Sequence, residues 1–328
     1  MNNKKTSAFL TKAAGKINPL FIIIGLLGIG FLLAGNLFFM HSANKQEGSN
    51  EDFPQRYQIV SPEIPEKLDF CGERVPIENF YVKERIDREF IVNTYYHSAT
   101  LLALKRANRW FPVIEPILKK YGVPEDFKYL AVIESNLDNV VSPANAVGFW
   151  QFTEGAAARY GLEVSEDVDE RYNVEKSTEA ACQYLRNAFN RYNSWTLAAA
   201  SYNAGLSGVD KQIERQKMKN YYNLLFSEET SRYIARIIAM KEIFRNPREY
   251  GYYMKSTDLY PAFDTKNIQI QSRVDDLAGF AINHGINYKI LKLYNPWLRD
   301  NYLAERKGKV FDIKIPKEGT VKMVSELH

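Results

Sequence analysis

The stretch that most constrains this chain is residues 130–152, LAVIESNLDNVVSPANAVGFWQF, in which a regular apolar run ends in a carboxylate. The run predicts a buried helix, and on a 3.6-residue period Glu134 shares a face with Phe127, Leu130 and Ala131. A carboxylic acid beside apolar neighbours resists ionisation, so its pKa rises toward values that suit proton donation near neutral pH. The alternative is a helix-end glutamate that simply reaches water.

The residues after this acid change to small and polar types. Ser142, Asn145, Gly148, Trp150 and Gln151 place a turn, a close-approach glycine, an indole and an amide within one loop and helix start. Polar groups and an aromatic ring beside a lone acid are typical of a sugar-binding cleft. From the residues alone, Gln151 is equally a helix-start cap, and packing is a commoner role for Trp150 than sugar stacking.

Three motifs, in order, resemble those of the lytic transglycosylases, the peptidoglycan-cleaving enzymes with a goose-type lysozyme fold. The first consists of Glu134-Ser135, Ser142-Pro143, Gly148 and Trp150-Gln151-Phe152. AAASYNAG at 198–205 resembles the Ala-Tyr-Asn-Ala-Gly motif, and EETSRYI at 228–234 is similar to Glu-Thr-x-x-Tyr-Val. The segment CGERVPIENFYVKERIDREF at 71–90 resembles the approach segment of membrane-bound members of the family.

The resemblance implies a role for each matching position. By position it makes Glu134 the catalytic acid and base, Ser142 a residue close to the acid, Gly148 the glycine of the first motif, Gln151 a substrate-contacting amide, Tyr202 a hydroxyl near the acid, and Asn203 and Glu229 further residues of the cleft. Without the resemblance, Tyr202 is equally a core tyrosine. The helix expected over 230–244 carries Tyr233 among its buried residues.

The family's reaction also explains why one carboxyl group is enough. Hydrolytic glycosidases generally use two carboxyl groups, one as acid and one as base or nucleophile. The nearest candidate, Asp138, is better interpreted as a solvated turn residue. In lytic transglycosylases the muramic acid 6-hydroxyl attacks instead of water and yields a 1,6-anhydro product, so Glu134 alone could serve as acid and then base.

Three positions depart from the family pattern. Asn145 stands where glycine is usual, but asparagine tolerates left-handed backbone, so the loop is expected to form. Thr153-Glu154 replaces the common Met-Pro, and Ser231-Arg232 replaces an arginine placed directly after the Glu-Thr pair. Arg171 is interpreted as structural, tying a loop to the start of the following helix.

The N-terminal region predicts a membrane anchor. Residues 17–39 carry no charge and include about 20 predominantly apolar residues, enough for a helix to cross a bilayer. Four lysines precede this segment, and no acidic residue occurs before Glu47, which predicts a cytoplasmic tail and an exported remainder in the periplasm. A cleaved signal peptide is the alternative, although its apolar core usually spans only about 7 to 15 residues.

Charge and ligand-forming residues exclude several function classes. The chain has 43 basic and 39 acidic residues; because four lysines belong to the N-terminal tail, the remainder is neutral and nucleic acid is not an expected partner. Cys71 and Cys182 are expected to be independent thiols. The four histidines are scattered, so neither a metal site nor a cofactor is predicted.

The predicted fold is mainly α, a lysozyme-like helical catalytic domain with an N-terminal transmembrane helix and a small α+β domain. The expected boundaries are a basic tail at 1–16, an anchor at 17–39, a linker at 40–75, the catalytic domain at 76–249, a linker at 250–266, a second domain at 267–317 and a tail at 318–328.

The strand-helix-helix-strand order of residues 267–317 resembles a LysM module, a glycan-binding unit, and Asn295-Pro296 is its most specific marker. Arg273-Val274-Asp275-Asp276 replaces the usual Gly-Asp-Thr or Gly-Asp-Ser turn, so the resemblance predicts the LysM fold rather than retained glycan binding.

The sequence therefore predicts an anchored, exported lytic transglycosylase that acts on peptidoglycan glycan strands. Two alternatives remain open at this point. A hydrolase of lysozyme or chitosanase type would release reducing ends, whereas a silent wall-binding protein would have no need of an acid at an apolar helix end.

Overall fold

A computed structural model describes residues 59–321. The expected basic tail, the expected anchor at 17–39 and the residues after 321 lie outside the described residues. Within the described range, no helix has both the length and the apolar character needed to span a membrane.

Residues 76–248 form a helical domain. Its α-helices are α1 (Phe80–Tyr95), α2 (His97–Lys120), α3 (Lys128–Ser135), α4 (Glu154–Arg159), α5 (Val174–Tyr192), α6 (Trp195–Ala204), α7 (Leu206–Gln216) and α8 (Glu228–Arg245). Three 3-10 turns, Glu125–Phe127, Glu170–Tyr172 and Tyr221–Asn223, join them. Pairing between extended segments in this range is limited to isolated bridges, so the prediction of a mainly helical domain is confirmed.

Side-chain caps fix where α5, α6 and α8 begin. Asn173, Ser194 and Ser227 each accept a hydrogen bond from a backbone N–H of the first turn of α5, α6 and α8, respectively. Such caps satisfy N–H groups that have no partner within the helix. Helix α5 starts only at Val174, because Asn173 caps it and a 3-10 turn occupies the preceding Glu170–Tyr172.

Helix α8 is the centre of the domain and positions the site. It packs against α1, α3 and α6, and Ile234, Ile237 and Ile238 on it are fully buried. Leu130 and Ala131 of α3 are also fully buried. The apolar run of the sequence therefore forms the contact that brings the end of α3 beside α8.

The segment expected as a linker over 40–75 is partly structured, which corrects that expectation. Strands β1 (Asp69–Phe70) and β2 (Glu73–Arg74) form a small antiparallel hairpin, and Phe70 is fully buried. The Glu73 carboxylate accepts a hydrogen bond from the Thr196 N–H at 3.0 Å. A carboxylate at a helix N-terminus meets the positive end of the helix dipole, which explains why the hairpin docks there.

Both cysteines are free thiols, as expected; Cys71 is half-buried and Cys182 is buried.

The C-terminal unit has the predicted strand-helix-helix-strand order. It consists of β3 (Thr265–Ile270), α9 (Leu277–Asn283), α10 (Tyr288–Tyr294) and β4 (Phe311–Pro316), and β3 pairs antiparallel with β4 from Thr265 opposite Pro316 to Ile270 opposite Phe311. The buried Asn295 amide donates to the Lys314 carbonyl at 2.7 Å and accepts from its N–H at 2.8 Å. The Asn-Pro marker thus joins the end of α10 to the second strand.

The two units are in direct contact. Val147, Val168 and Tyr172 of the helical domain belong to the same buried cluster as the core of the C-terminal unit. The segment expected as a linker over 250–266 also packs, since the Tyr252 hydroxyl donates to the Thr94 carbonyl at 2.6 Å. Neither feature was predicted from the sequence.

Candidate active site

The acid Glu134 lies in the last turn of α3. The helix ends at Ser135, and the following Asn136 has a left-handed φ of +52° and ψ of +34°, a conformation that asparagine tolerates. A carboxylate in the last turn meets the negative end of the helix dipole, and the Glu134 side chain is half-buried. Its position alone therefore disfavours the ionised form.

A tyrosine of α8 holds one oxygen of this acid. The Tyr233 hydroxyl donates a hydrogen bond to Glu134 Oε1, and Tyr233 is only 2% exposed. Burial, followed by the negative charge of Glu134, raises the pKa of Tyr233 well above its usual value. The hydroxyl therefore keeps its proton and remains a donor.

The pKa of Glu134 is raised above its ordinary value of 4.5, and burial is the largest cause. The negative charge of Glu229 acts in the same direction, whereas the Tyr233 hydrogen bond and the positive charge of Arg236 oppose it. The carboxyl group consequently stays protonated to a higher pH than an exposed glutamate would, which is the property that a general acid requires.

The loop after α3 folds back on itself, and Ser142 forms part of its turn. Val147 bridges to Val141, and the Ser142 hydroxyl accepts a hydrogen bond from the Ala146 N–H at 3.0 Å. Among the described residues, no hydrogen bond joins Ser142 to Glu134. The serine therefore stabilises its own turn, and its expected closeness to the acid stays a prediction.

Gly148 and Arg171 lock the next part of this loop. Gly148 has φ +78°, and a Cβ added to it would stand 2.2 Å from the Arg171 carbonyl oxygen, so only glycine fits. Arg171 pairs with Asp169 at 2.7 Å and donates from Nη1 to the carbonyls of Asn145 at 3.2 Å and Phe152 at 3.4 Å. These contacts give Arg171 the structural role expected of it, and Asn145 adopts φ +59°, as its side chain allows.

Gln151 and Trp150 have different roles in the loop. Gln151 has φ +50°, and its Nε2 donates to the carbonyls of Val140 at 3.1 Å and Gly148 at 2.8 Å. No residue in the described range donates to Gln151 Oε1, which leaves that oxygen available to a ligand. Trp150 is fully buried and donates to Thr178 Oγ1 at 2.8 Å, so it is a packing residue and not a sugar platform.

Tyr202 of α6 lies within electrostatic reach of the acid. Burial, followed by the charge of Glu134, raises the pKa of Tyr202 well above its usual value. Its hydroxyl donates to the Trp150 carbonyl at 2.7 Å. Tyr202 therefore joins α6 to the loop, whereas Tyr233 supplies the hydrogen bond that Glu134 receives.

Asn203 and Glu229 form a polar pair at the start of α8. The Asn203 amide donates to Glu229 Oε1 at 3.0 Å, and its carbonyl accepts from the Thr230 hydroxyl at 2.7 Å. Glu229 is exposed, but its charge still reaches Glu134. The structure thus brings together Glu134, Tyr202 and Glu229 of the predicted site and adds the unpredicted Tyr233.

The departures in the third motif have a structural explanation. Arg232 pairs with the buried Glu89 of α1, with Nε at 2.7 Å from Oε1, and Arg236 lies 3.9 Å from the same carboxylate. The Ser231 hydroxyl donates to the Phe226 carbonyl at 3.3 Å. The arginine of this motif therefore anchors α8 to α1.

Asp138, the nearest acidic residue along the chain, is engaged elsewhere. Its carboxylate pairs with Arg106 Nη2 at 2.5 Å. This contact supports the interpretation of Asp138 as a turn residue without a chemical role. In the range 59–321, no group of three or more histidine, cysteine or acidic side chains is arranged to hold a metal ion.

Comparison with known families identifies the helical part of the chain. Residues 112–225 match the family model described as the transglycosylase SLT domain. This part of the chain is therefore similar to SLT domains. The matched range includes Glu134, Gln151 and Tyr202 and ends before α8, so Tyr233 and Glu229 lie beyond it.

The C-terminal unit and the wider chain also have relatives. Residues 266–319 match the model described as the soluble lytic transglycosylase C-terminal LysM-like domain. Over 244 residues, the chain is 29% identical to the membrane-bound lytic murein transglycosylase D of Escherichia coli K12, covering 72% of this chain and 52% of that protein. It is 28% identical over 127 residues to a putative tributyltin chloride resistance protein of Alteromonas, covering 38% of this chain and 61% of that protein. The chain thus spans about half the length of the murein transglycosylase that it matches.

Proposed function

We propose that this protein is a peptidoglycan lytic transglycosylase. It would cleave the MurNAc–GlcNAc β-1,4 bond without water and leave 1,6-anhydro-MurNAc ends during cell-wall remodelling. The observation that carries the proposal is the half-buried Glu134, whose pKa is raised and whose Oε1 accepts a hydrogen bond from Tyr233. The SLT match and the homologous murein transglycosylase support the same reaction.

The proposed reaction uses Glu134 twice. The carboxylic acid first donates its proton to the glycosidic oxygen, so that the bond from MurNAc C1 to this oxygen breaks and GlcNAc leaves as an alcohol. The carboxylate then accepts the proton of the MurNAc 6-hydroxyl while O6 forms a bond to C1. Glu134 regains the proton that it lost, and neither water nor a second carboxyl group is consumed.

The surrounding residues have proposed positioning and binding roles. Because Tyr233 donates to Oε1, the transferable proton is expected on Oε2. Gln151 would present its free Oε1 to a sugar hydroxyl or amide, and Asn203 with Glu229 would contact the glycan at the start of α8. Ser142, Gly148 and Tyr202 complete the proposed cleft by shaping the loop that faces it.

A hydrolase remains the second candidate because the charge of Glu229 acts on Glu134. A hydrolytic mechanism needs a second carboxylate to activate water or attack the sugar. Glu229 is the acidic residue whose charge acts on Glu134, although the Asn203 amide already holds one of its oxygens at 3.0 Å.

Digestion of purified murein sacculi by residues 48–328 tests the proposal, with mass spectrometry of the muropeptide ends. Wild type is expected to release anhydro ends, and Glu134→Gln none. Asp138→Asn is the matched control, because it neutralises a nearby carboxylate that is already paired with Arg106. Reducing ends that disappear in Glu229→Gln would establish the hydrolase, and sacculus binding without cleavage would establish a wall-binding protein.

The proposed location follows from the sequence and from the named relative. The segment 17–39 would anchor the chain in a membrane, with the catalytic domain at 76–249 and the LysM-like domain at 267–317 in the periplasm, where both would bind glycan strands. The relative's name describes it as membrane-bound. Accessibility of a cysteine placed at position 48 to an impermeant thiol reagent in intact spheroplasts would test this arrangement.

A further inference from the structure

A cavity of about 380 Å³ lies between the SLT domain and the LysM-like unit. Its walls come from α2, the first turn of α5, the segment before β3, and the C-terminal unit itself. A volume of this size falls in the range of small-ligand sites. Glu134 is not among its lining residues, so this cavity is separate from the proposed catalytic cleft.

Arg109 supplies the cavity with a positive charge that has no carboxylate partner among the described residues. No carboxylate in the described part of the chain pairs with its guanidinium, and its recorded hydrogen bond runs from Nε to the Pro261 carbonyl at 2.9 Å. Burial lowers the pKa of Arg109, as expected of a cation that has lost water without gaining an anion. Its two terminal nitrogens are therefore available for a bidentate pair with a carboxylate.

The other two charged residues that line the cavity pair with each other. Lys314 of β4 pairs with Glu175 in the first turn of α5, so these two side chains cancel each other. The charge that remains in the cavity is the single positive charge of Arg109. An anionic ligand is thus favoured over a neutral or cationic one.

The aromatic wall argues against a sugar as the main ligand. Phe263 lies between Trp110, with ring centroids 5.5 Å apart and an interplanar angle of 88°, and Tyr294, at 4.5 Å and 31°. The Arg109 guanidinium covers the Phe263 ring at 4.2 Å. The Phe263 ring face, which could otherwise stack on a pyranose, is therefore occupied, whereas the ring edges of this wall can contact aliphatic groups.

We propose that this cavity binds a carboxylate-bearing peptide, with Arg109 pairing to a carboxylate and Trp110, Phe263 and Tyr294 covering aliphatic side chains. Its identification as the stem peptide of peptidoglycan rests on the proposed function. The cavity also contacts the loop of the proposed catalytic site, because Trp110 packs edge-on against Phe149 with ring centroids 5.1 Å apart. A peptide bound here would hold the attached glycan strand against the same domain that cleaves it.

Isothermal titration of the full chain in detergent with stem tetrapeptide, released from sacculi by an amidase, tests the site. Wild type and Glu134→Gln are expected to bind equally, and Arg109→Met is expected to bind about tenfold more weakly or not at all. Arg109→Lys keeps the charge and should retain part of the affinity. Arg159→Met is the matched control, because it removes one exposed arginine charge elsewhere and should leave binding unchanged.

The outcomes separate this inference from the proposed function. Absence of tetrapeptide binding, or equal binding by wild type and Arg109→Met, would overturn the site, even if sacculi still yield anhydro ends. Binding that depends on Arg109 would uphold the site, even if cleavage proved hydrolytic or absent. Thermal melting of Arg109→Met and Arg109→Lys shows whether the two variants are equally folded, and weaker binding by Met than by Lys at equal stability is the expected result.

Discussion

Replacement of Tyr233 by phenylalanine removes the hydrogen bond on the proposed acid and leaves the rest of the ring in place. The Tyr233 hydroxyl donates to Glu134 Oε1, and this bond favours the carboxylate form. Without it, desolvation acts with less opposition, so the pKa of Glu134 rises further. The acid form, which the first step needs, then persists to higher pH.

The size of the effect follows from the energy of such a bond. A hydrogen bond to a charged group contributes about 1.5–3 kcal/mol, and each 1.36 kcal/mol displaces a titration by about one pH unit. The high-pH limb of kcat/KM reports the acid in the free enzyme. We therefore expect this limb to move upward by roughly one to two pH units in Tyr233→Phe.

Release of anhydro-muropeptides from sacculi at a series of pH values measures this limb. Tyr192→Phe is the matched control, because its hydroxyl donates to the Leu206 carbonyl at 2.9 Å and to Asp210 at 3.1 Å, with no recorded contact to the acid. The control should retain the wild-type profile. An unmoved or downward-shifted limb in Tyr233→Phe would refute the reasoning that this hydroxyl sets the protonation of Glu134.

Three further predictions concern stability, each measured by urea denaturation. The raised pKa of Glu134 means that the native state binds more protons than the unfolded state between the ordinary value of 4.5 and the native value. Glu134→Gln should thus be more stable than wild type at pH 8, with an advantage that shrinks as the pH falls through the native pKa of Glu134 and is lost below 4.5. Gly148→Ala should lower the free energy of unfolding by about 2 kcal/mol or more, because the new methyl group meets a carbonyl oxygen and the backbone is left-handed. Gly155→Ala is the control and should not lower it in this way, because Gly155 has open space around it. In Lys241→Met the free energy of unfolding should fall by about 3–5 kcal/mol, because Asp126 loses its partner at 2.7 Å. A fall within about 0.5 kcal/mol, typical of a neutral surface change, would contradict this expectation.

The sequence indicated the helices well because their signals are local. The apolar period of α3 is contained within a few residues and needs no knowledge of the fold. The LysM-like order was also predictable, since Asn295 bonds to the backbone of β4 and the Asn-Pro pair marks that contact. Glu134 was found by the same local reasoning, as a carboxylate at an apolar helix end.

The hydrogen-bond donor to the acid was not predicted, for a physical reason. Tyr202 and Tyr233 both occupy largely buried helical positions, and periodicity cannot distinguish which hydroxyl meets Glu134. The choice depends on how α3 crosses α8, where α8 contributes Tyr233 while Tyr202 donates to the Trp150 carbonyl instead. The tyrosine of the third motif was the available signal, but the helical pattern favoured its interpretation as core.

The left-handed conformation of Gln151 was likewise beyond local reasoning. A non-glycine residue at φ +50° is uncommon, and nothing in its side chain requires it. The conformation allows Nε2 to donate to both Val140 and Gly148. Its cause is the closed shape of the loop, which only the assembled domain imposes.

The support of that loop extends into the C-terminal unit. Arg171 fixes the backbone around Gly148, and Asp169 fixes Arg171 through a buried ion pair at 2.7 Å. The Asp169 N–H in turn donates to the Trp297 carbonyl of the LysM-like unit at 2.9 Å. A unit whose turn at 273–276 departs from the usual LysM sequence therefore still has a reason to keep its fold, because its core and backbone support the segment that shapes the loop after Glu134.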